Sequence, residues 1–212
     1  MTPAVPVRDA ATVMLVRDGV AGVEVFLLRR HLRSVFSAGA HVFPGGAVDD
    51  ADRQVEGADP FVVAAIRETF EEAGALLARD AEGDMVDLRD PEVAERFAAH
   101  RLAVHAGELS LVELCQGEDL RPAFDALHFV SRWITPPGAP RRYDTRFFVA
   151  AAPEHQAYLH DDTELIASAW FRPGDALDRF RAGELELILP TERSLEALAE
   201  HDSVAAVLAS VA

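Results

Sequence analysis

Apolar positions along this chain recur with two periods, and the switches between them outline its elements. Residues 12–17 and 23–30 are apolar and β-branched, with Asp18-Gly19 between them. That pattern predicts two antiparallel strands joined by a turn. Residues 1–9 lack it and read as a flexible lead-in. His41-Val42-Phe43 reads as a short strand stopped by Pro44-Gly45-Gly46, and residues 47–59 as an acidic loop. Asp59-Pro60 then supplies an N-cap acceptor followed by proline at the first helical position. The helix it opens is predicted over Pro60–Ala73, with Gly74 suited to the C-terminal cap.

Between residues 80 and 127 the spacing is helical, over Pro91–His105 and 108–114, with little β-branching. This stretch is too short to form its own core, so it is read as a helical insertion within a single domain, 1–212. Strand signals return at 127–134, 146–152 and Leu165–Phe171, and helical ones at 175–182 and 194–209. No internal repeat or low-complexity tract interrupts the series.

Composition narrows the chemistry. Half of the residues are apolar, which fits a globular chain. Thirty-six acids against 20 bases give a formal charge of −16. Such a surface repels a bare phosphate backbone, so a nucleic-acid partner is not expected. It can still act on phosphates when divalent cations stand between the charges. The lone Cys115 leaves no partner for an intramolecular disulfide and reads as a small buried apolar residue. The apolar run 10–16 is too short for a signal core or a membrane span, so a cytoplasmic protein without a membrane partner is expected.

The segment Arg67-Glu68-Thr69-Phe70-Glu71-Glu72-Ala73-Gly74 changes the picture most. On a helix turning about 100° per residue, with Glu68 at zero, Glu72 falls at about 40° and Glu71 at about 300°. Val62, Ile66, Thr69, Phe70, Ala73 and Leu77 fall between about 100° and 200°, on the opposite side. Three carboxylates on one face repel one another. A solvated acidic face is the plain reading. A bound divalent cation is the other, because hard oxygen ligands suit Mg²⁺ or Mn²⁺. Arg67, at about 260°, neighbours Glu71 and can orient an acid.

This segment resembles the second half of a Nudix box, the signature of hydrolases acting on nucleoside diphosphates linked to another group. Gly46 matches the glycine of that pattern. The position six beyond it holds Asp52 rather than Glu, and fifteen positions instead of eight separate it from Arg67. The box therefore carries a loop insertion, and its first acid is shorter by a methylene. Gly39-Ala40-His41-Val42-Phe43-Pro44-Gly45-Gly46 resembles the segment before the box in the Nudix branch that cleaves coenzyme A and acyl-coenzyme A. Arg30 fits the arginine preceding it, whereas Val35 stands where a second arginine is expected. The interrupted box, the insertion, Trp133-Ile134-Thr135-Pro136, Arg142-Tyr143-Asp144-Thr145-Arg146 and Leu189-Pro190-Thr191 resemble the peroxisomal acyl-coenzyme A diphosphatase group more closely.

The resemblance implies an α/β (α+β) fold of the Nudix type: an α/β/α sandwich with a central mixed sheet, the box helix packed on it and the 80–127 insertion as a lid or dimer surface. It implies that Glu68, Glu71 and Glu72 hold Mg²⁺ (or Mn²⁺), with a backbone carbonyl near Gly46 as a further ligand. Arg67 is grouped with them as catalytic. Glu164, six residues before Trp170, fits an acid that related enzymes supply from a later loop. Arg30, His41 and Gly45 are assigned to a small nucleotide-type substrate, although packing suits His41 equally. Arg142 and Arg146 share one face of a strand and either contact the phosphates or carry ordinary edge-strand charge. The implied reaction is hydrolysis of the diphosphate bond of coenzyme A or its thioesters. ADP-ribose is the alternative substrate, and a binding module without turnover the alternative class. A homodimer is left open.

Overall fold

A computed structural model of the chain describes residues 5–31, 39–159 and 165–212. Its centre is β1 (Val7–Gly19), which borders three other strands among the described residues. On one side lie β2 (Gly22–Arg30), antiparallel to the second half of β1, and β4 (Gly45–Ala47), antiparallel to its first half. On the other side β8 (Arg142–Ala151) runs parallel to β1 from Val7↔Arg142 to Val16↔Ala151. The edge strand β7 (His128–Ile134) is antiparallel to β8. β2 also carries β3 (His41–Val42) and β9 (Leu165–Phe171). Among the described residues one parallel strand pairing among antiparallel ones makes the expected mixed sheet, and β5 (Ala78–Arg79) and β6 (Arg121–Pro122) pair apart from it.

Both faces of the sheet are covered, which is why its strands read as nearly unbroken apolar runs. Ala11, Val13 and Leu15 of β1 join Phe26, Leu28, Phe148 and Ala150 in one core. Ile66 and Phe70 of α2 (Pro60–Ala73) fill it from that side. Each such buried side chain contributes about 1.5–3 kcal/mol. Met14 and Val16 point the other way, into a second core with Leu27, Phe147 and Val149. This face is closed by α5 (Pro173–Arg181), α6 (Leu189–Leu198) and α7 (Val204–Ser210).

The box helix has the expected bounds. The Asp59 side chain accepts from the Phe61 N–H at 3.0 Å, Pro60 opens the first turn, and Gly74 ends it at φ +71°. In the insertion, α3 (Pro91–His105) is also as expected. The second insertion helix, α4 (Leu111–Gly117), starts later than expected because Ser110 caps it, exchanging hydrogen bonds with Glu113. The buried insertion residues Phe97, Val104, Leu111, Leu114 and Cys115 belong to the same core as α2. Burial pushes the Cys115 thiol up to about 12, in keeping with an inert apolar filler.

Other boundaries differ for identifiable reasons. Val7–Asp9, expected in a flexible lead-in, extend β1 because Arg142–Asp144 offer a ladder partner and Arg53 pairs with Asp9 at 2.7 Å. The first hairpin turns at Val20-Ala21 rather than Asp18-Gly19, with Gly22 at φ +117°. The loop 47–59 contains a short helix, α1 (Asp50–Arg53). The closing helix expected over 194–209 is two helices, broken at residues 199–203. Among the described residues no helix is long and apolar enough to cross a membrane.

Candidate active site

The end of α2 and the β4 turn meet at a cleft of about 1200 Å³. Glu68, Glu71 and Glu72 form one wall with Gly45, Gly46 and Ala47. The floor is Ala10 and Thr12 of β1 and Tyr143, Thr145 and Phe147 of β8. The facing wall is the end of β7 and the hairpin after it, with Trp133, Ile134, Pro136 and Arg141. Leu189 and Pro190 at the start of α6 complete the rim.

The acidic face is not solvated. Glu71 and Glu72 are each only 8% exposed. Glu72 accepts from backbone, and Arg67, equally buried, distributes its donors among Glu71 and the other neighbouring acids. Its Nη1 donates to Glu68 Oε1 at 2.9 Å and to Glu71 Oε1 at 3.0 Å. Its Nε and Nη2 grip both oxygens of Asp52 at 3.0 and 2.9 Å, and Nη2 also reaches the Ala47 carbonyl at 2.8 Å. Asp52 is 2% exposed, and its second oxygen also accepts from the Asp49 N–H. The loop insertion in the box therefore leaves its first acid in contact with Arg67. Burial opposes the Arg67 charge, but the Asp52 hydrogen bond and the charges of Glu68, Asp52 and Glu71 outweigh it and raise its pKa.

Two glycines let the turn approach this cluster. The Gly45 N–H donates to Glu72 Oε2 at 2.8 Å. A Cβ at Gly45 would lie 2.3 Å from the Ala11 carbonyl oxygen, and its φ of +155° disfavours side chains. A Cβ at Gly46 would lie 2.4 Å from Glu68 Oε1. Glu68 thus packs on bare backbone. Burial raises its pKa to about 7; Arg67 lowers it, while the charges of Glu71 and Asp49 add to the rise. The insertion also reaches the acids. His105, the last residue of α3, sets Nδ1 at 3.5 Å from Glu71 Oε2 and lines the cleft. Arg101 Nε donates to the Glu71 carbonyl at 2.8 Å.

A family model described as the NUDT19 Nudix domain matches residues 56–196, two thirds of the chain. The chain belongs to the Nudix family. Acyl-coenzyme A diphosphatase NUDT19 of Gallus gallus is 29% identical, the alignment covering 86% of this chain and 65% of that protein. The protein of the same name from Homo sapiens is 28% identical, over 86% of this chain and 62% of its own length. The chain thus spans just under two thirds of these curated relatives. A Nudix hydrolase structure from Alicyclobacillus acidocaldarius superposes with a TM-score of 0.83 at 29% identity, covering 97% of this chain and 96% of that one.

Nudix hydrolases generally use divalent metal ions. The donor set here fits such an ion, being two buried carboxylates and a partly buried third, all with hard oxygens, beside a glycine turn. Among the described residues no three acid or histidine side chains converge as a ready metal cage. Glu68 and Glu71 are instead turned onto Arg67, and Glu72 onto Gly45.

Of the Nudix site residues expected from sequence, Arg67, Glu68, Glu71, Glu72, Gly45, Gly46 and Arg30 line the one cleft. Glu164 and Val35 lie outside the described residues. Three residues expected at the substrate do not line this cleft. Arg142 does not line the cleft; its Nε donates to the Thr135 carbonyl at 3.0 Å. Nor does Arg146, which pairs with Asp59 at 2.7 Å and stacks 3.8 Å over Phe61 at the start of α2. His41 also lies off it, edge-on to Phe171, with its backbone N–H bonded to the Glu186 carbonyl. Burial lowers its pKa to about 4, helped by Arg29, so the ring is neutral at pH 7.

Strand parity explains the two arginines. Odd-numbered positions of β8 face the cleft, and Arg142 and Arg146 are even. Residues 147–150 are all apolar, so hydrophobicity could not assign the faces. Arg141 and His105 line the cleft and were not among the expected site residues. Alternation from Tyr143 gives a signal for Arg141; His105 depends on how α3 packs and leaves none.

Proposed function

We propose that this protein is a metal-dependent hydrolase of the diphosphate bond in coenzyme A and acyl-coenzyme A. Its products would be adenosine 3′,5′-bisphosphate and free or acylated phosphopantetheine. The observation that carries the reading is the carboxylate set at the head of a large cleft, Glu68 and Glu71 held by Arg67 and Glu72 by the glycine turn. The names of the relatives favour coenzyme A thioesters, and the exposed apolar side chains in the cleft, Ile134 and Leu189, suit an acyl or pantetheine chain.

Glu68, Glu71 and Glu72 would hold Mg²⁺ or Mn²⁺, with the Gly46 carbonyl as a further ligand. The bound ion would polarise the phosphoryl oxygens and lower the pKa of a coordinated water. Water oxygen forms the new bond to phosphorus, and the bond to the bridging oxygen breaks. One carboxylate of the helix, or Glu164, takes the water proton. The bridging oxygen leaves as a phosphate monoester. Arg67 fixes the acids, and Arg30 faces the substrate. We read the chain as one domain in which the 80–127 insertion forms part of the site rim through His105.

The test is a panel of coenzyme A, acetyl-coenzyme A, ADP-ribose and dinucleoside polyphosphates with Mg²⁺ or Mn²⁺, products being separated by chromatography. Coenzyme A and its thioester should be cleaved to adenosine 3′,5′-bisphosphate. Cleavage of ADP-ribose with coenzyme A untouched would replace the substrate and keep the chemistry. Binding without turnover, unchanged in Glu72→Gln, would make the chain a binding module.

A further inference from the structure

Three arginines among the described residues line the cleft, and they are not in the same situation. Arg67 is bonded to carboxylates on every side. Arg141 makes no hydrogen bond or ion pair among the described residues, in a protein with 36 acids. Arg30 likewise has a buried Nε without a partner. Arg30 sits on β2, beside the glycine turn, while Arg141 lies across the cleft, at the tip of the β7–β8 hairpin.

The strand register gives the separation of Arg141 from the acids. Ala47, in the turn that touches Arg67, pairs with Ala10, and Ala10 pairs with Thr145. Arg141 precedes Thr145 by four residues, about 13 Å of extended chain at roughly 3.3 Å per residue. A diphosphate seated at the acids does not need a guanidinium so far along the floor. A second anionic group on the same substrate does. A guanidinium with no carboxylate to neutralise it is a two-pronged donor matched to phosphate. The side chains next to it on this wall, Trp133, Ile134 and Pro136, carry no charge that would compete.

We infer that Arg141 is a specificity-determining residue that recognises a phosphate monoester remote from the scissile diphosphate. This rests on the functional reading above. On coenzyme A that group is the 3′-phosphate of the ribose, which ADP-ribose lacks. Arg141 thereby selects coenzyme A over simple ADP conjugates, while the acids of α2 act on the diphosphate common to both.

The test compares kcat/KM for coenzyme A and 3′-dephospho-coenzyme A in the full chain, its Arg141→Ala variant and its Arg141→Lys variant. Wild type should favour coenzyme A. In Arg141→Ala the ratio should fall about tenfold, the size expected for one charge-assisted hydrogen bond, with the change mainly in KM. Arg141→Lys should restore part of it, since it keeps the charge and loses the fork. Adenosine 3′,5′-bisphosphate should inhibit wild type more strongly than AMP, and the gap should narrow in Arg141→Ala. An unchanged ratio in Arg141→Ala overturns this inference and leaves the proposed reaction standing. A wild type that does not cleave coenzyme A overturns both.

Discussion

The two walls of the cleft are built on opposite principles. On the carboxylate wall the charged groups are buried and bonded to one another: Arg67 serves Asp52, Glu68, Glu71 and the Ala47 carbonyl at once. On the facing wall Ile134 is 51% exposed and Arg141 is bonded to no described residue. The first wall has its geometry set before any substrate arrives. The second leaves its contacts to be made by the substrate. Stability should therefore reside in the first and selectivity in the second.

The largest test of that contrast is Arg67→Ala. It leaves Asp52, Glu68 and Glu71 buried without their counter-charge, at a cost of about 3–5 kcal/mol. The denaturant midpoint should drop accordingly, whereas Arg141→Ala should stay within about 0.5 kcal/mol of wild type. Next comes Glu72→Gln, which keeps the shape of the wall and removes a ligand charge. It should lower kcat by about a hundredfold or more at saturating metal, equivalent to about 2.7 kcal/mol. An undiminished kcat would remove Glu72 from the metal site. Asp52→Asn should cost about 1–3 kcal/mol of stability, because an amide cannot accept both Arg67 bonds. A neutral result would reduce Asp52 to filler.

The metal-free protein gives a pH signature of the same wall. Glu68, raised to about 7, is half protonated near neutrality. A metal ion needs the carboxylate, so affinity should be full above pH 7 and weaken as pH falls through it, by up to about tenfold per unit. Mn²⁺ titrations at pH 6 and pH 8 measure this, and equal affinities would remove Glu68 from the ligand set. The smallest effect belongs to the facing wall. Ile134→Ser should change stability by less than about 0.5 kcal/mol yet raise KM more for a long-chain acyl-coenzyme A than for coenzyme A.

What could be read in advance divides along the same line. The carboxylate wall depends on one helix, and helical periodicity with Asp59-Pro60 and Gly74 as stops located it to the residue. The two-sided core was expected through the Nudix resemblance and not from the strands themselves, although their apolar runs carry it. The facing wall depends on which side of β8 each residue takes, and an apolar run of four has no parity to read. Hence Arg142 and Arg146 were expected where Arg141 and Tyr143 stand. His41 was assigned by its place beside the glycine turn, but its ring packs on Phe171. Asp52 carried an irregular spacing, yet its carboxylate contacts Arg67 as a two-pronged partner.

That last contact sets where this chain tolerates insertions and deletions. Asp52 and Arg67 meet across fifteen residues of chain, and Asp59 restarts the helix independently of what precedes it. Extra residues between 53 and 58 lengthen a surface loop, and doubling such a loop costs only about 0.6 kcal/mol. One residue added between Arg67 and Glu72 turns every later acid by about 100° and scatters the set. Length is free on one side of Asp59 and fixed on the other, so homologous sites are better sought by the helix and its spatial partners than by a pattern of fixed spacing.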